Sequence, residues 1–299
     1  MRNAILLQGD QDFMNSLIRV LENYTKSVAE TVLGRRRAGR GLTVFPDDVF
    51  LVSYLRSGST WARFLFGNLT QDIPITFENV DQLVPLIYDF PDRVLRRLPR
   101  LLKSHECFDP RYPRVIHIVR DPRDVAVSFY YYNLKVGVLP AGYSMDDFVD
   151  RFLAAQVVNY ADRLGSWQDH SLSWFRLRKE SPGYRLVRYE DLLSDTAAEL
   201  TRLCGLLNVY PDPERIHRAV ELSSAGQMRS LEEKQWKKWR TTKDSRSDIP
   251  FVREARSGGW RTKLSSTSIR KIELAWGTTM KEFGYELSTT YAPAATQES

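Results

Sequence analysis

The chain alternates short apolar runs with longer segments in which apolar residues recur at helical spacing. One run opens at Val49, and others lie at residues 100–103, 114–119 and 184–187, with 43–45 as a short lead-in. Short apolar runs between helical segments are typical of strands buried on both faces of a parallel sheet. We therefore predict an α/β fold, a single domain whose central, mostly parallel sheet is flanked by helices on both faces.

Helical spacing continues after residue 60 and recurs in further segments. These segments span residues 13–33, 125–133, 145–163, 165–180, 195–207, 213–223 and 267–283. Ser194 or Asp195 can cap the helix at 195–207, and Asn208 follows its end. Residues 231–259 are instead dense in Lys, Arg, Ser and Asp, so we predict a long loop there that becomes ordered on ligand binding.

The same patterns divide the chain into three parts. Residues 1–42 are predicted to form an N-terminal helix and a basic linker packed on the domain, and 43–287 the domain itself. The linker's arginines, at 35–40, are interpreted as a solvated segment, with a polyanion-binding patch as the alternative. Residues 288–299 are expected to be a disordered tail.

Composition narrows the possible partners of this 299-residue chain. A net charge of +6 suits a polyanionic ligand but is not basic enough to require nucleic acid, so none is expected. Cys107 and Cys204 lie far apart and the chain has four histidines, so no zinc site is indicated. No signal peptide or membrane span is evident, and the working prediction is a cytoplasmic protein without membrane contact.

A polar turn separates the first strand from the helix that follows it. It reads Arg56, Ser57, Gly58, Ser59, Thr60. A strand that feeds a helix through such a turn directs backbone N–H groups and the helix dipole at an anion. The turn lacks the Gly-Lys-Ser/Thr ending of a Walker A loop, which weakens a kinase interpretation. An ordinary strand-to-helix turn remains the structural alternative.

A second strand, turn and helix follows at residues 114–132. Arg120 ends the strand, Pro122 suits a first helical turn, and Ser128 lies on the helix. Ligands of open parallel sheets bind beyond the carboxyl ends of the strands, so both turns are expected on one edge. Two anion-binding turns on one edge predict a ligand with two separated anionic groups.

Four motifs together resemble the cytosolic-type sulfotransferases, which use 3′-phosphoadenosine 5′-phosphosulfate (PAPS). They are YLRSGSTW at 54–61, LLKSHE around Lys103 and His105, RVIHIVRDPRDVAVSFY from 114, and FVREARSGGWR at 251–261. Their order matches the family over roughly residues 45–285. The resemblance implies a P-loop NTPase-like three-layer sandwich, a PAPS donor that leaves as 3′,5′-bisphosphoadenosine, and no required metal.

The resemblance also implies roles for individual residues. The 5′-phosphosulfate is assigned to Arg56, Ser57, Gly58, Ser59 and Thr60. The adenine region is assigned to Trp61, Tyr189, Ser223 and Ser224. The 3′-phosphate is assigned to Arg120, Ser128 and Arg253 with the backbone of Ser257 and Gly258. Glu254 and Ala255 replace the lysine and glycine usual there, and Arg256 is a hypothetical compensation for the missing cation.

Catalysis is expected at His105, acting as general base, with Arg56 and Lys103 neutralising the charge that develops during in-line transfer. The alternative for His105 is a purely structural role, as a hydrogen-bonded histidine at a strand end. Because a sulfate carries less negative charge than a γ-phosphate, much of the need for a metal disappears. A nucleotide kinase and a non-catalytic nucleotide- or polyanion-binding protein remain alternative functions.

The acceptor is expected to be a small molecule with an alcohol or phenol group, or an amine, and a specialised natural product fits this description. Candidate wall residues are Phe77, Tyr88, Tyr131, Tyr132, Phe148 and Trp236, each of which could also be core. Glu78 and Asp81 leave room for a cationic acceptor. Ser266 and Arg270 depart from the dimer-forming sequence of animal members, so the oligomeric state is left open.

Overall fold

The computed structural model describes residues 42–89, 100–157 and 164–288. The predicted N-terminal helix at 13–33, the basic linker and the tail beyond Ser288 lie outside these ranges. Ser288 itself is anchored, since its backbone N–H and its hydroxyl both donate to Glu273 Oε1, at 2.9 and 2.8 Å.

The described residues form one four-stranded parallel sheet in the order β2-β1-β3-β4. The strands are β1 (Val49–Ser53), β2 (Leu101–Ser104), β3 (Arg114–Val119) and β4 (Tyr184–Arg188). Val49 lies opposite both Leu101 and Arg114, so the strands on either side of β1 are aligned with it. The predicted parallel sheet is confirmed.

Helices follow the strands and cover both faces of the sheet. They are α1 (Ser59–Thr70), α2 (Val80–Leu83), α3 (Pro122–Lys135), α4 (Met145–Leu153), α5 (Trp167–Arg178), α6 (Tyr189–Ser194), α7 (Thr196–Leu207), α8 (Pro213–Leu222), α9 (Ala225–Gln235), α10 (Trp260–Lys263) and α11 (Ser266–Glu282), with a 3₁₀ turn at Ile87–Asp89. The predicted cap at Asp195 is present, because its side chain accepts a bond from Ala198 N.

The two faces of β1 belong to different hydrophobic clusters, which makes the fold a three-layer sandwich. Leu51 packs in the cluster that contains Leu65 of α1 and Leu200 of α7. Phe50, which points to the opposite face, packs in the cluster that contains Trp174 of α5. This alternation is the period-two geometry of a strand buried on both sides. The predicted α/β class is confirmed.

Three local predictions were wrong. Residues 43–45 form no strand, because Phe45 and Asp48 close a turn through two hydrogen bonds. The helix predicted at 145–163 ends at Leu153, and Ala155 just after it takes a left-handed φ of 57°, while residues 158–163 lie outside the described residues. The loop predicted from residue 231 begins later, because α9 runs to Gln235 and buries Glu232.

A buried guanidinium ties the start of α3 to the C-terminal helix. Arg123 is 2% exposed and binds Asp121, the N-cap of α3, and Glu273 of α11, at 2.6 and 2.5 Å. It also donates to Glu286 O and lies 3.7 Å from the centre of the Trp260 ring. Three parts of the chain that are distant in sequence therefore depend on one cation.

Glu273→Ala is expected to lower the free energy of unfolding by about 3–5 kcal/mol, because it leaves Arg123 buried with one carboxylate lost. The matched control is Lys271→Ala on the same helix, whose exposed pair with Asp150 contributes less than about 1 kcal/mol. Urea unfolding of both variants measures the difference. Equal losses would show that Arg123 does not depend on Glu273.

Candidate active site

A cavity of about 700 Å³ opens at the carboxyl ends of β1, β2 and β3. Each of these strands delivers predicted site residues to it, and the lining includes Arg56, Gly58, Ser59, Thr60, Trp61, Lys103, His105, Arg120, Ser128, Tyr189, Ser223, Ser224 and Arg253. The two polar turns therefore meet on one edge of the sheet, as the sequence predicts. Ser57, Ser257 and Gly258 lie beside this lining rather than in it.

The turn after β1 has the geometry of an anion-binding loop. Gly58 has a left-handed φ of 98°, and an added Cβ would lie 2.5 Å from Cδ2 of Tyr189, so only glycine fits. Helix α1 begins at the next residue, and the first N–H groups of a helix have no partner within it. The hydroxyl of Ser57 is buried and has no hydrogen-bond partner in the described parts of the chain. The loop thus offers several donors to one anion.

Arg56 lies between two aromatic rings at the entrance of this loop. Its guanidinium carbon is 4.5 Å from the centre of the Tyr132 ring and 4.7 Å from that of Phe251. Its Nε donates to Ser128 Oγ at 3.4 Å, which joins the turn after β1 to helix α3. Desolvation lowers the pKa of Arg56 to about 10, so the side chain stays cationic at neutral pH.

A second set of cations lies at the end of β3. Arg120 donates from Nη2 to Arg256 O at 3.1 Å and lies 4.2 Å from the centre of the Tyr189 ring, while its buried Nε has no partner in the described chain. Arg253 lies 4.2 Å from the centre of the Tyr131 ring, and desolvation lowers its pKa. Both side chains are half-buried, and a half-buried guanidinium with free N–H groups favours binding of an anionic ligand.

The segment around Gly258 closes this end of the cavity. Asp124 of α3 accepts bonds from Gly258 N at 2.6 Å and Trp260 N at 3.0 Å, which fixes the segment to the helix. Glu254 pairs with Arg256 at 2.6 Å, so the proposed compensating cation is already held by a carboxylate. Ala255 adopts a left-handed φ of 49°, a conformation for which glycine is the usual residue.

His105 faces the cavity just beyond β2 and is held in one tautomer. Its Nδ1 lies 2.7 Å from Ser53 O, and because a carbonyl oxygen can only accept, Nδ1 carries the proton and Nε2 keeps its lone pair. Burial, with the charge of Lys103 as the next cause, holds the pKa of His105 well below its usual value. The ring is therefore a neutral base at pH 7.

Lys103 precedes the histidine by two residues on β2. It pairs with Leu51 in the sheet, its side chain is 8% exposed, and it lines the cavity together with His105. Besides burial, the charge of Lys103 contributes to the lowered pKa of His105, so the cation lies near the imidazole ring.

Two aromatic rings and a polar corner form the far end of the cavity. Trp61 and Tyr189 meet edge to face with their ring centres 5.6 Å apart. Trp61 Nε1 donates to Ser223 O at 2.9 Å, and Ser224 caps α9 by accepting from Gln227 N. An aromatic and polar corner of this kind suits a heterocyclic base.

Of the proposed acceptor walls, the structure brings Tyr88 and Tyr132 to the cavity. Phe77 is instead packed against Phe64 and Trp239, and Phe148 against Phe129 and other core rings. Tyr131 and Trp236 also lie outside the lining. Helix rotation decides this outcome, since neighbouring aromatics such as Tyr131 and Tyr132 point to different sides.

The cavity also contains residues that the sequence reasoning missed. They include Leu86, Glu106, Phe129, Trp239, Thr241 and Phe251. Glu106 could have been found, because it directly follows His105 in the same motif. Trp239 gave a weaker signal, as an aromatic residue in a charged segment.

No helix among the described residues is long and apolar enough to cross a bilayer. No group of three or more His, Cys, Asp or Glu side chains there is placed to hold a metal ion.

Comparison with known proteins agrees with the motifs. Human Sulfotransferase 1E1 is 26% identical over 255 residues, covering 79% of this chain and 85% of that protein. Sulfotransferase 1B1 of Mus musculus is 25% identical over 264 residues, with 79% and 85% covered. The crystal structure of retinol dehydratase in complex with androsterone and inactive cofactor PAP superposes with a TM-score of 0.68 at 19% identity, covering 84% of each chain.

The family itself is identified by a match that covers most of the chain. Residues 46–284 match the sulfotransferase domain family, which is most of the chain and includes all four motifs. The family predicted from those motifs is therefore confirmed, and the chain belongs to the sulfotransferase family.

Proposed function

We propose that this protein transfers the sulfuryl group of PAPS to a hydroxyl group of a small molecule. The observation that carries the proposal is one cavity that holds two groups of cationic side chains together with a neutral His105 in a single tautomer. Two anion sites suit a nucleotide with phosphate at its 3′ position and phosphosulfate at its 5′ position. Family membership and the bound PAP in the retinol dehydratase structure support the same donor.

The residues present fit this donor. Its 5′-phosphosulfate would be held by Arg56, Ser57, Gly58, Ser59 and Thr60. The Ser57 hydroxyl has no hydrogen-bond partner in the described chain, so it can donate to an oxygen of this group.

The other end of the cavity fits the rest of the nucleotide. The 3′-phosphate would be held by Arg120, Ser128 and Arg253. The Nε–H of Arg120 has no hydrogen-bond partner in the described chain, so it can donate to the phosphate. Trp61, Tyr189, Ser223 and Ser224 would enclose the adenine. Backbone contacts to the 3′-phosphate are also proposed for Ser257 and Gly258. The N–H of Gly258 already donates to Asp124, so it would have to share that hydrogen bond with the phosphate.

The donor supplies an activated sulfuryl group, and the protein supplies a base, cations and alignment. His105 Nε2 takes the proton of the acceptor hydroxyl while the acceptor oxygen bonds to sulfur. As the bond from sulfur to the bridging phosphate oxygen breaks, Arg56 and Lys103 stabilise the charge left on that oxygen. Ser53 O keeps Nδ1 protonated, so the Nε2 lone pair always faces the reaction.

The acceptor and the cellular setting are proposed at a coarser level. An alcohol or phenol suits a cavity with Tyr88, Tyr132, Trp239 and Phe251 in its walls. A cytoplasmic location stays a prediction, consistent with cysteines that form no disulfide in the described chain. The oligomeric state is left open.

Nucleotide preference tests the proposal directly. Titration calorimetry is expected to show that 3′,5′-bisphosphoadenosine binds at least tenfold more tightly than ATP, because only the former fills both anion sites. Incubation with radiolabelled PAPS and a panel of phenols should then yield labelled esters. Tighter binding of ATP, or transfer of phosphate instead of sulfate, would contradict the proposal.

His105→Ala is expected to reduce the single-turnover rate by about 10²–10⁴, with the affinity for the bisphosphate little changed. His217→Ala, a matched control at an exposed position on α8, should keep the full rate. Because the pKa of His105 lies well below its usual value, the rate should not fall as the pH drops from 8 to about 6.5. A decline centred near pH 6.5, or normal turnover by His105→Ala, would exclude this base.

Substitutions of Arg56 and of Arg253 are expected to affect different quantities, the transfer rate for one and the nucleotide affinity for the other. Arg56→Gln should lower the transfer rate more than the affinity for the bisphosphate, because its charge acts on the leaving oxygen. Arg253→Gln should chiefly weaken binding, by a factor corresponding to about 1.5–3 kcal/mol for a charged hydrogen bond. Stopped-flow transfer rates and calorimetric affinities measure both quantities. The same profile for both variants would refute the division of labour.

A further inference from the structure

Two charged side chains of helix α9 bind the main chain of the segment that carries Arg253. Phe251, Val252 and Arg253 all line the cavity. Arg229 donates to Val252 O at 3.2 Å and to Arg253 O at 2.6 Å. Glu232, one turn further along the helix, accepts from Phe251 N at 2.6 Å and from Val252 N at 2.9 Å. Both the N–H and the C=O groups of this segment are therefore bound by one helix.

Lys135 of α3 binds the residues just before this segment. Its ammonium group donates to Ile249 O at 2.6 Å and to Arg246 O at 2.9 Å, and it lies 3.7 Å from Glu232 Oε1. Lys135 is 2% exposed and Glu232 is 8% exposed, so the ion pair is buried with the main chain that it binds. Because removal of one partner from a buried pair is costly, the two charges hold each other and the segment in one geometry.

Glu232 is connected to Arg56 through Phe251. The Phe251 ring lies 4.7 Å from the guanidinium carbon of Arg56, while the N–H of the same residue donates to Glu232. Burial is the main cause that lowers the pKa of Arg56, and the negative charge of Glu232 is among the causes that raise it. The carboxylate is thus near enough to act on the guanidinium.

Helix α3 holds the other side of Arg56. Ser128, Tyr132 and Lys135 are spaced i, i+4 and i+7, so they share one face of the helix. The Ser128 hydroxyl accepts from Arg56 Nε at 3.4 Å, and the centre of the Tyr132 ring lies 4.5 Å from the guanidinium carbon. Arg56 is therefore enclosed between a helix face and a segment that Lys135 of the same helix helps to hold.

We propose that Glu232 is a positioning residue for sulfuryl transfer: by holding the backbone of Phe251, it sets the contact between that ring and Arg56 and so the direction in which the guanidinium faces the leaving group. This inference rests on the proposed sulfotransferase function, which assigns Arg56 to the charge on the leaving oxygen. Glu232 lies outside the cavity lining, so it acts through Phe251 and not on the nucleotide.

Glu232→Ala is expected to lower the single-turnover rate of sulfuryl transfer by about 10–10², because a small displacement of a catalytic group has effects of this size. The affinity for 3′,5′-bisphosphoadenosine should change much less, because the two bonds from Arg229 still hold Arg253. Transfer rates with the phenol that is esterified fastest, and calorimetric affinities, measure both quantities. A merely structural role would not separate them, so equal losses of rate and affinity would overturn the inference.

A double-mutant cycle tests the route through Phe251. Phe251→Leu removes the ring that lies over Arg56, and adding Glu232→Ala to it should lower the rate by less than about twofold, because the carboxylate acts through that ring. Losses that multiply, as for two independent sites, would contradict this route.

Glu233→Ala is the matched control, because it removes an exposed carboxylate from the next position of the same helix, and it should keep the wild-type rate. If Glu232→Ala does not bind the bisphosphate, Glu232→Gln replaces it in both measurements, since the amide keeps one acceptor oxygen for the two N–H groups. Full-rate transfer by the Glu232 variant overturns the inference alone. A wild type that binds the bisphosphate but transfers no sulfuryl group would instead count against the proposed function itself.

Discussion

The parallel pairing of β1 with β2 on one side and β3 on the other is the constraint on which the site depends. It brings the carboxyl ends of three strands to one edge and allows the carbonyl oxygen of Ser53, the last residue of β1, to bind the ring of His105 after β2. One hydrogen bond between neighbouring strand ends thus fixes the tautomer of the base. A shift of register would move the base, Lys103 and the loop cations relative to one another.

Several cations lie close together at this edge of the sheet, and keeping them charged there costs free energy. Arg56 and Arg253 are desolvated, and the pKa of each is lowered, so the cavity is costly without an anion. The fold offsets part of the cost with rings, since Arg56, Arg120 and Arg253 each lie over at least one aromatic face. A nucleotide with two anionic ends would complete this charge balance, which makes the site selective for such ligands.

The features that the sequence predicts correctly are those set by short-range order and by the periodicity of apolar residues. The runs that form β1 to β4, the two polar turns and the positions of His105 and Lys103 follow from short-range pattern and motif order. What it could not find depends on rotation and long-range packing. Phe77 and Phe148 are as aromatic as Tyr132, yet they lie in the core, because the helices and loops that carry them turn those rings away from the cavity.

Arg56 shows why motif matching and local physics must be combined. A lysine ammonium is a compact point charge, whereas the planar guanidinium of Arg56 lies against Tyr132 and Phe251 and still reaches Ser128. The rings hold the cation in place while its Nε–H donates to Ser128 of helix α3. Since Phe251 belongs to the segment that leads to Arg253, the same stacking connects Arg56 with the segment that carries Arg253. Arg56 therefore links the two proposed anion sites structurally as well as supplying a charge, and its planar guanidinium suits contact with two rings better than a lysine ammonium does.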